Sequence, residues 1–210
     1  MSTKIPQPML RRLPNYLMLL QKYNKNGVAF CSSSRIAEDL GYTSIQVRKD
    51  LQAVSDNPGV PNQGRDVKQL IDDLESFLGY KDFSQSVLVG VGRLGSALLS
   101  YEGFRDYNMK IVLAFDTRAR TPEMQSGVPI YHISKLRQLV KRLHIQIGII
   151  VVPVEAAQDV CDALVDSGVK ALWNFAPVHL SVPSDVIVYN ENMAESLAFI
   201  SSKLREKEED

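Results

Sequence analysis

Residues 86–104 read SVLVGVGRLGSALLSYEGF, and this stretch decides the fold of the chain around it. Val87-Leu88-Val89 is a continuous apolar run of the kind buried on both faces of a sheet. Gly90, Gly92 and Gly95 follow at GxGxxG spacing. The first glycine permits a tight turn, the second lets backbone approach a pyrophosphate, and the third lets a helix pack on the strand. A helix from Leu94 would offer its first amides to phosphate. A second strand, Met109–Phe115, then ends at Asp116, 21 residues after Gly95. An acid at that distance binds the ribose hydroxyls of an adenosine and repels a 2′-phosphate, which favours NAD over NADP. Arg118 and Arg120 follow closely and weaken that preference.

Downstream, strands and helices keep alternating. Val128–Tyr131, His144–Val152, Val169–Asn174 and Val186–Tyr189 read as strands, with helices at Ser134–Arg142 and Glu155–Ser167. The expected fold class is α/β, with a Rossmann-like, doubly wound parallel sheet. Ligands of such sheets bind beyond the carboxyl ends of the strands. There the sequence offers the glycines, Asp116, Val152-Pro153 and Asn174-Phe-Ala-Pro177, without a TyrxxxLys or His–Asp pair aimed at a substrate. His179 reads as a loop or core histidine. A last helix from Asn190 to Glu208 carries Met193, Leu197, Ile200 and Leu204 on one face and ends in a charged tail.

The first third follows another pattern. Leu13, Tyr16, Leu17, Leu20 and Tyr23 recur at spacings of three and four, an amphipathic helix over Arg11–Tyr23. In SSSRIAEDLGYTSIQVRKDLQAV, a serine at 32–34 caps a helix facing Ile36, Ala37 and Leu40 inward, and Gly41 stops it. Thr43 or Ser44 caps the next helix, with Ile45 or Val47 and then Leu51 facing in. Two short helices about a glycine-containing turn form a helix-turn-helix, whose second helix enters the major groove by its N-terminal end. Ser44, Gln46, Arg48 and Lys49 cluster at that end. Glutamine can bond adenine, and arginine can bond guanine or phosphate. Residues 54–66 hold Pro58, Gly59, Pro61 and Gly64, so they form a loop or hairpin where a wing would lie, with Arg65 as its one base. A helix over Val67–Leu78 faces Leu70, Ile71, Leu74, Phe77 and Leu78 inward, and Gly79 ends it.

A chain of 210 residues suits one large domain or two small ones. Of 210 residues, 45% are hydrophobic and 23% charged. The net charge is zero, but residues 1–50 carry eight Lys/Arg against three Asp/Glu, so the basic end suits an anionic partner. No apolar run approaches a membrane span and no signal peptide is read. Cys31 and Cys161 read as free thiols of a reducing cytoplasm, and His132, His144 and His179 have no metal-ligand spacing. The expected divisions are 1–80, 84–190 and 191–210, with a linker at 79–84.

These pieces resemble Rex, the bacterial redox-sensing transcriptional repressors, over nearly the whole chain. RRLPNYL (11–17), QVRKDL (46–51), VGVGRLGSAL (89–98), AFD (114–116), VPVEAAQ (152–158) and NFAPVHL (174–180) carry the resemblance. It implies a homodimer with an N-terminal winged helix, a C-terminal Rossmann domain and a final helix swapped between subunits. It implies a protein that binds operator DNA when NADH is scarce and releases it when NADH binds. NADH/NAD is then an effector and no residue is catalytic. Gly90, Val91, Gly92, Arg93, Leu94 and Gly95 resemble the pyrophosphate loop, and Asp116 the ribose ligand. Tyr101, Pro153, Asn174, Phe175, Ala176 and Pro177 are placed near the nicotinamide half. Arg48 and Lys49 resemble DNA contacts, joined by Ser44, Gln46, Arg11, Arg12 and Arg65.

Two departures stand out. Where the family's wing reads like KDLSYFGEFGKRGVGY, this chain has KDLQAVSDNPGVPNQGR, without the aromatics and most of the bases. Where the family carries something like ENVD before the final helix, this chain has Glu191-Asn192-Met193-Ala194. An acid there could pair with a base of the first helix, and Glu191 or Glu195 could supply it instead. A small NAD-dependent oxidoreductase and a CoA-binding regulator are the alternative readings.

Overall fold

The computed structural model describes residues 5–56, 59–60, 63–79, 84–121 and 123–208. The chain divides into two compact units. Residues 1–83 with 105–108 form one, and residues 84–104 with 109–210 form the other. The expected linker at 79–84 falls largely outside the described residues.

The first unit is a helical cluster with a small sheet. α1 (Gln7–Lys25) begins four residues before the apolar periodicity does. Pro6 sits at its N-cap and Pro8 in the first turn, where a missing N–H costs nothing. It buries Met9, Leu13, Tyr16, Leu17, Leu20 and Tyr23 and packs along α4 (Val67–Leu78). α2 (Ser33–Leu40) is capped by Ser32, whose hydroxyl accepts from the Arg35 N–H at 3.2 Å. Gly41, at φ +68°, turns the chain toward α3 (Ser44–Val54). Thr43 takes the cap of α3, accepting from the Gln46 N–H at 3.3 Å. Val47 and Leu51 are fully buried, whereas Ile45 is 59% exposed, so Val47 is the inward residue. Phe77, expected inward on α4, is 39% exposed, because Val67, Leu70, Ile71 and Leu74 complete the buried stripe. β1 (Phe30–Cys31) pairs antiparallel with β2 (Arg65–Asp66).

The second unit is a seven-stranded sheet with helices from the crossovers. Its strands are β3 (Ser84–Val89), β4 (Met109–Asp116), β5 (Glu123–Gln125), β6 (Val128–His132), β7 (Ile147–Ile150), β8 (Ala171–Asn174) and β9 (Ile187–Asn190). The order is β5-β6-β4-β3-β7-β8-β9, parallel throughout except for the edge strand β5. The sheet is therefore mostly parallel, and the β5–β6 hairpin was not expected from the sequence. β3 pairs with β4 on one side and with β7 on the other, which makes the end of β3 the topological switch point. The helices are α5 (Arg93–Leu99), α6 (Leu136–Arg142), α7 (Val154–Asp166) and α8 (Met193–Glu208). Ser134 does not cap α6. The His132 imidazole instead accepts from the Ser134 N–H ahead of a single 3-10 turn over Ile133–Lys135. One apolar cluster includes Val87, Val89, Phe115, Ile150 and Leu164, and another Leu88, Ala114, Ile130 and Ile149. β3 thus buries alternate residues in different clusters, as a central parallel strand must.

Candidate functional site

The glycine loop lies at the switch point of the second unit. Gly90 has φ +100°, and a Cβ there would run into the Val151 carbonyl oxygen. A Cβ on Gly95 would run into the Gly90 carbonyl oxygen. Gly92 differs: nothing lies within 4 Å of the position its Cβ would take. It forms the N-cap of α5 and supplies no side-chain cap to that helix. Backbone at Gly92 is therefore open to an incoming group, while Gly90 and Gly95 bring strand, turn and helix into contact.

Asp116 closes this loop from the end of β4. Its Oδ2 accepts from the Val91 N–H at 2.8 Å, and its Oδ1 accepts from the Arg118 N–H at 2.8 Å. The Arg118 Nε donates to Oδ1 at 3.1 Å, and Nη2 donates to the Val91 carbonyl at 3.2 Å. Burial alone would raise the Asp116 pKa, but the bonds from Arg118 and Val91 outweigh it and hold the carboxyl below its ordinary value. The Asp116 side chain is 11% exposed and that of Arg118 75%. Beside them opens a cleft of about 470 Å3, lined by Gly90, Gly92, Asp116, Arg118, Ile133, Val152, Pro153 and Ala156. Apart from Asp116 and Arg118, most of the side chains lining it are apolar.

Not every expected residue reaches this cleft in the expected way. Pro153 lines it together with Gly90, Gly92 and Asp116. Asn174 is fully buried. Its Nδ2 donates to the Ala176 and Val178 carbonyls and to Asn190 Oδ1, and its Oδ1 accepts from the Ala176 N–H. Its bonding is thus spent on tying β8 to β9 and to the following loop. Ala176 is 4% exposed in the core, and Pro177 is exposed. Tyr101 and Phe175 lie at two ends of an aromatic row. Tyr101 meets Phe104 at 5.0 Å, Phe104 meets Trp173 at 6.1 Å, and Trp173 meets Phe175 at 4.5 Å. Arg93 and Leu94 are exposed in the first turn of α5.

In the first unit, α3 presents Ser44, Arg48 and Lys49 to solvent and holds Gln46 half-buried. Arg11 is exposed on α1. Arg12 is differently employed. Its Nε and Nη2 donate to the two oxygens of Asp50 at 2.8 and 3.0 Å, and the Tyr16 hydroxyl donates to the same carboxylate at 2.8 Å. With Asp50 5% exposed, this triad pins α3 to α1 and engages the Arg12 guanidinium inside the unit. Burial pushes the Tyr16 hydroxyl well above the ordinary phenol range, and the bond to Asp50 adds to that shift. Arg65 is likewise occupied: it is 7% exposed, and its guanidinium donates to the Leu51 carbonyl at 3.3 Å. Burial lowers its pKa. The wing expected at 54–66 includes residues 57, 58, 61 and 62, outside the described residues. Val60 and Gly64 form an antiparallel bridge there, with bonds of 2.7 and 3.0 Å. An open depression of about 570 Å3 lined by Val54, Asp56, Gln69, Asp73, Ser76 and Phe77 holds none of the expected site residues.

At the end of the second unit, Asn192 Oδ1 accepts from the N–H groups of Ala194 and Glu195 at 3.2 and 3.3 Å and caps α8. Glu191 accepts from the Trp173 indole at 3.3 Å, and Glu195 is exposed. Leu197, Phe199, Ile200 and Leu204 of α8 are 54–69% exposed. Among the described residues there is no group of three His, Cys, Asp or Glu that could hold a metal, and no helix long and apolar enough to cross a membrane. Burial raises both thiols, Cys31 and Cys161, to about 11.

Comparison with known proteins joins the two units in one family. A family described as "CoA binding domain" matches residues 84–178, and one described as "Putative DNA-binding protein N-terminus" matches residues 4–52. The redox-sensing transcriptional repressor Rex of Bacteroides thetaiotaomicron is 38% identical over 96% of this chain and 92% of its own. The chain belongs to the Rex family. The Rex of Clostridium perfringens is 37% identical over 92% of this chain and 91% of its own. A solved structure of RSP, a Rex-family repressor, in complex with NAD+ and operator DNA has TM-score 0.89 and 33% identity, covering 99% of this chain and 95% of that one. RSP in complex with NADH has TM-score 0.83 and 32% identity, covering 99% and 97%. Membership of Rex makes this chain a redox-sensing transcriptional repressor rather than an oxidoreductase, with the dinucleotide as effector.

Proposed function

We propose that this Rex-family chain grips operator DNA as a cytoplasmic homodimer while NADH is scarce and leaves it when NADH enters the cleft beside Asp116. One observation carries this reading: a glycine loop closed by Asp116 belongs to the same chain as a helix-turn-helix with exposed Ser44, Arg48 and Lys49. The open backbone at Gly92 and the uncapped first turn of α5 would hold the pyrophosphate. Asp116 would hold the adenosine ribose. A ribose hydroxyl that takes one of its oxygens displaces the exposed Arg118 side chain more readily than the Val91 amide. Arg48 and Lys49 would meet phosphate or base edges, with Ser44, Gln46 and Arg11 beside them. Tyr101 and Phe175 would flank the nicotinamide half.

Release follows from linkage. NADH moves the protein off DNA only by binding the released arrangement more tightly than the DNA-bound one. Allosteric couplings amount to about 1–3 kcal/mol, and a shift from mostly bound to mostly free takes about 5 kcal/mol, shared between two sites of a dimer. A dimer presents its recognition helices about 34–36 Å apart, one DNA turn, and rotation of the nucleotide-binding units would spoil that spacing. The exposed apolar face of α8 is where a second subunit would bury surface. With Arg12 held by Asp50 and Ala194 in place of an acid, coupling here would differ from that of relatives with ENVD. An unchanged NADH response in Ala194→Asp would refute that difference.

The test is anisotropy titration of the protein on promoter fragments without nucleotide, with NAD and with NADH. Specific binding kept with NAD and lost with NADH is expected. Specific binding in no state, or binding indifferent to NADH, overturns the reading. The match to a CoA-binding family keeps one other ligand in play, and competition of CoA against NADH separates the two.

A further inference from the structure

We infer that Ile45 is a specificity-determining residue that reads a thymine methyl group in each operator half-site. The inference rests on the repressor reading above and goes to the sequence that the repressor selects. Ile45 is the second residue of α3, and its side chain is 59% exposed. Nothing internal accounts for it. The face of α3 that holds the unit together is Val47, Asp50 and Leu51, all buried. Ile45 lies on the opposite face, where residues three, four and seven positions on are Arg48, Lys49 and Gln52, all exposed. A β-branched side chain also favours a helix less than alanine does, so an exposed isoleucine in the first turn helps neither folding nor solubility.

Its position suits a different surface. In a helix-turn-helix the N-terminal residues of the second helix meet base edges in the major groove. Among the groups that bases present in the major groove, the C5-methyl of thymine is the one alkyl group. Ser44 and Gln46 flank Ile45 in sequence, and Arg48 and Lys49 share its face. A basic, hydrogen-bonding stripe thus carries a single branched aliphatic side chain at its groove-entering end. Burying that side chain against a thymine methyl removes apolar surface of both from water. Cytosine lacks the methyl at that position, and a purine would present its polar N7 edge instead.

The experiment uses the full chain and a duplex that the wild-type protein itself selects from a random pool. Each thymine of the half-site is replaced in turn by deoxyuridine, which removes the methyl and leaves the pairing edge intact. Wild-type protein and Ile45→Ala are titrated on every duplex. One thymine is expected to matter: its replacement weakens the wild type about four-fold per half-site, the effect of one buried methyl group. Ile45→Ala is expected to bind the thymine and uracil duplexes equally at that position and to keep its helical circular dichroism. Pool selection with Ile45→Ala should lose the thymine preference there and retain the others. If no replacement weakens the wild type, or the weakening is as large in Ile45→Ala, the inference is overturned while the repressor reading stands. If the wild type selects no duplex at all, the repressor reading fails and this inference with it.

Discussion

Replacing the Arg12–Tyr16–Asp50 triad by apolar side chains tests what Arg12 is for. Alone, Arg12→Met leaves a carboxylate that is 5% exposed with the Tyr16 hydroxyl as its remaining side-chain partner. Breaking a buried pair costs about 3–5 kcal/mol, and the 17% exposure of the Arg12 side chain brings this to about 2–4 kcal/mol. Tyr16→Phe alone forfeits one hydrogen bond to a charged group, about 1.5–3 kcal/mol. The triple variant Arg12→Met, Tyr16→Phe, Asp50→Leu strands no charge and no hydroxyl, and is expected within about 1 kcal/mol of wild type. Urea and thermal denaturation of the full chain, followed by circular dichroism, give these differences. The triple variant, once folded, is then titrated on DNA across a range of salt. A structural Arg12 leaves the slope of log K against log salt unchanged. A phosphate-contacting Arg12 would flatten it by about 1.8 for a dimer losing one contact per subunit. That flattening, or a single-variant cost below about 0.5 kcal/mol, would refute the structural assignment.

Other outcomes follow from the cleft and the first helix. Gly92→Ala, with open space about its Cβ, should keep native stability and lose NADH binding by fluorescence titration, whereas Gly95→Ala should fail in both. Asp116→Ala should weaken NADH at least about ten-fold, about one charge-assisted hydrogen bond, and narrow any preference over NADPH. Because its pKa is held below the ordinary value, the Asp116 carboxylate is lost only as pH falls through that lowered pKa. NADH affinity should therefore stay flat from about pH 8 to 5. Burial, with the bond to Asp39, raises the Tyr23 hydroxyl to about 12, so its contribution is full below the unfolded phenol value of about 10 and disappears as pH rises through 12. Tyr23→Phe should flatten the alkaline loss of stability over that window. Arg65→Met should leave the salt dependence of DNA binding unaltered.

The sequence showed most where a local pattern forces a local structure. The glycine spacing, the caps near Ser32 and Thr43 and the strand ending at Asp116 all depend on neighbours within a few residues. It showed least where a polar side chain chooses among distant partners. Arg12 reads as a base at the start of a DNA-binding unit, and only the fold brings Asp50, 38 positions away, against it. Asn174 reads as a strand-end ligand, but its bonds go to residues 176, 178 and 190, because a buried amide must be satisfied wherever it can be. Pro153 and Asp116 line one cleft because β7 and β4 both flank β3, an arrangement fixed by strand order rather than spacing. The three-residue β5 has no alternating pattern long enough to read.

The packing around the glycine loop also limits how this protein can change over generations. At Gly148 an added methyl would meet Leu164 and Leu172 side chains at 2.9 and 3.1 Å, so a smaller residue at either position could make room for it. At Gly90 and Gly95 the obstacle is a main-chain carbonyl, of Val151 and of Gly90 itself. No second substitution can shrink a peptide group. Gly90 and Gly95 are therefore closed to compensated drift, while the strand beside them can wander in pairs of residues. Descendants of this sequence that lose the effector should keep the turn's glycines only as long as the sheet needs them, with Gly92 the first to go.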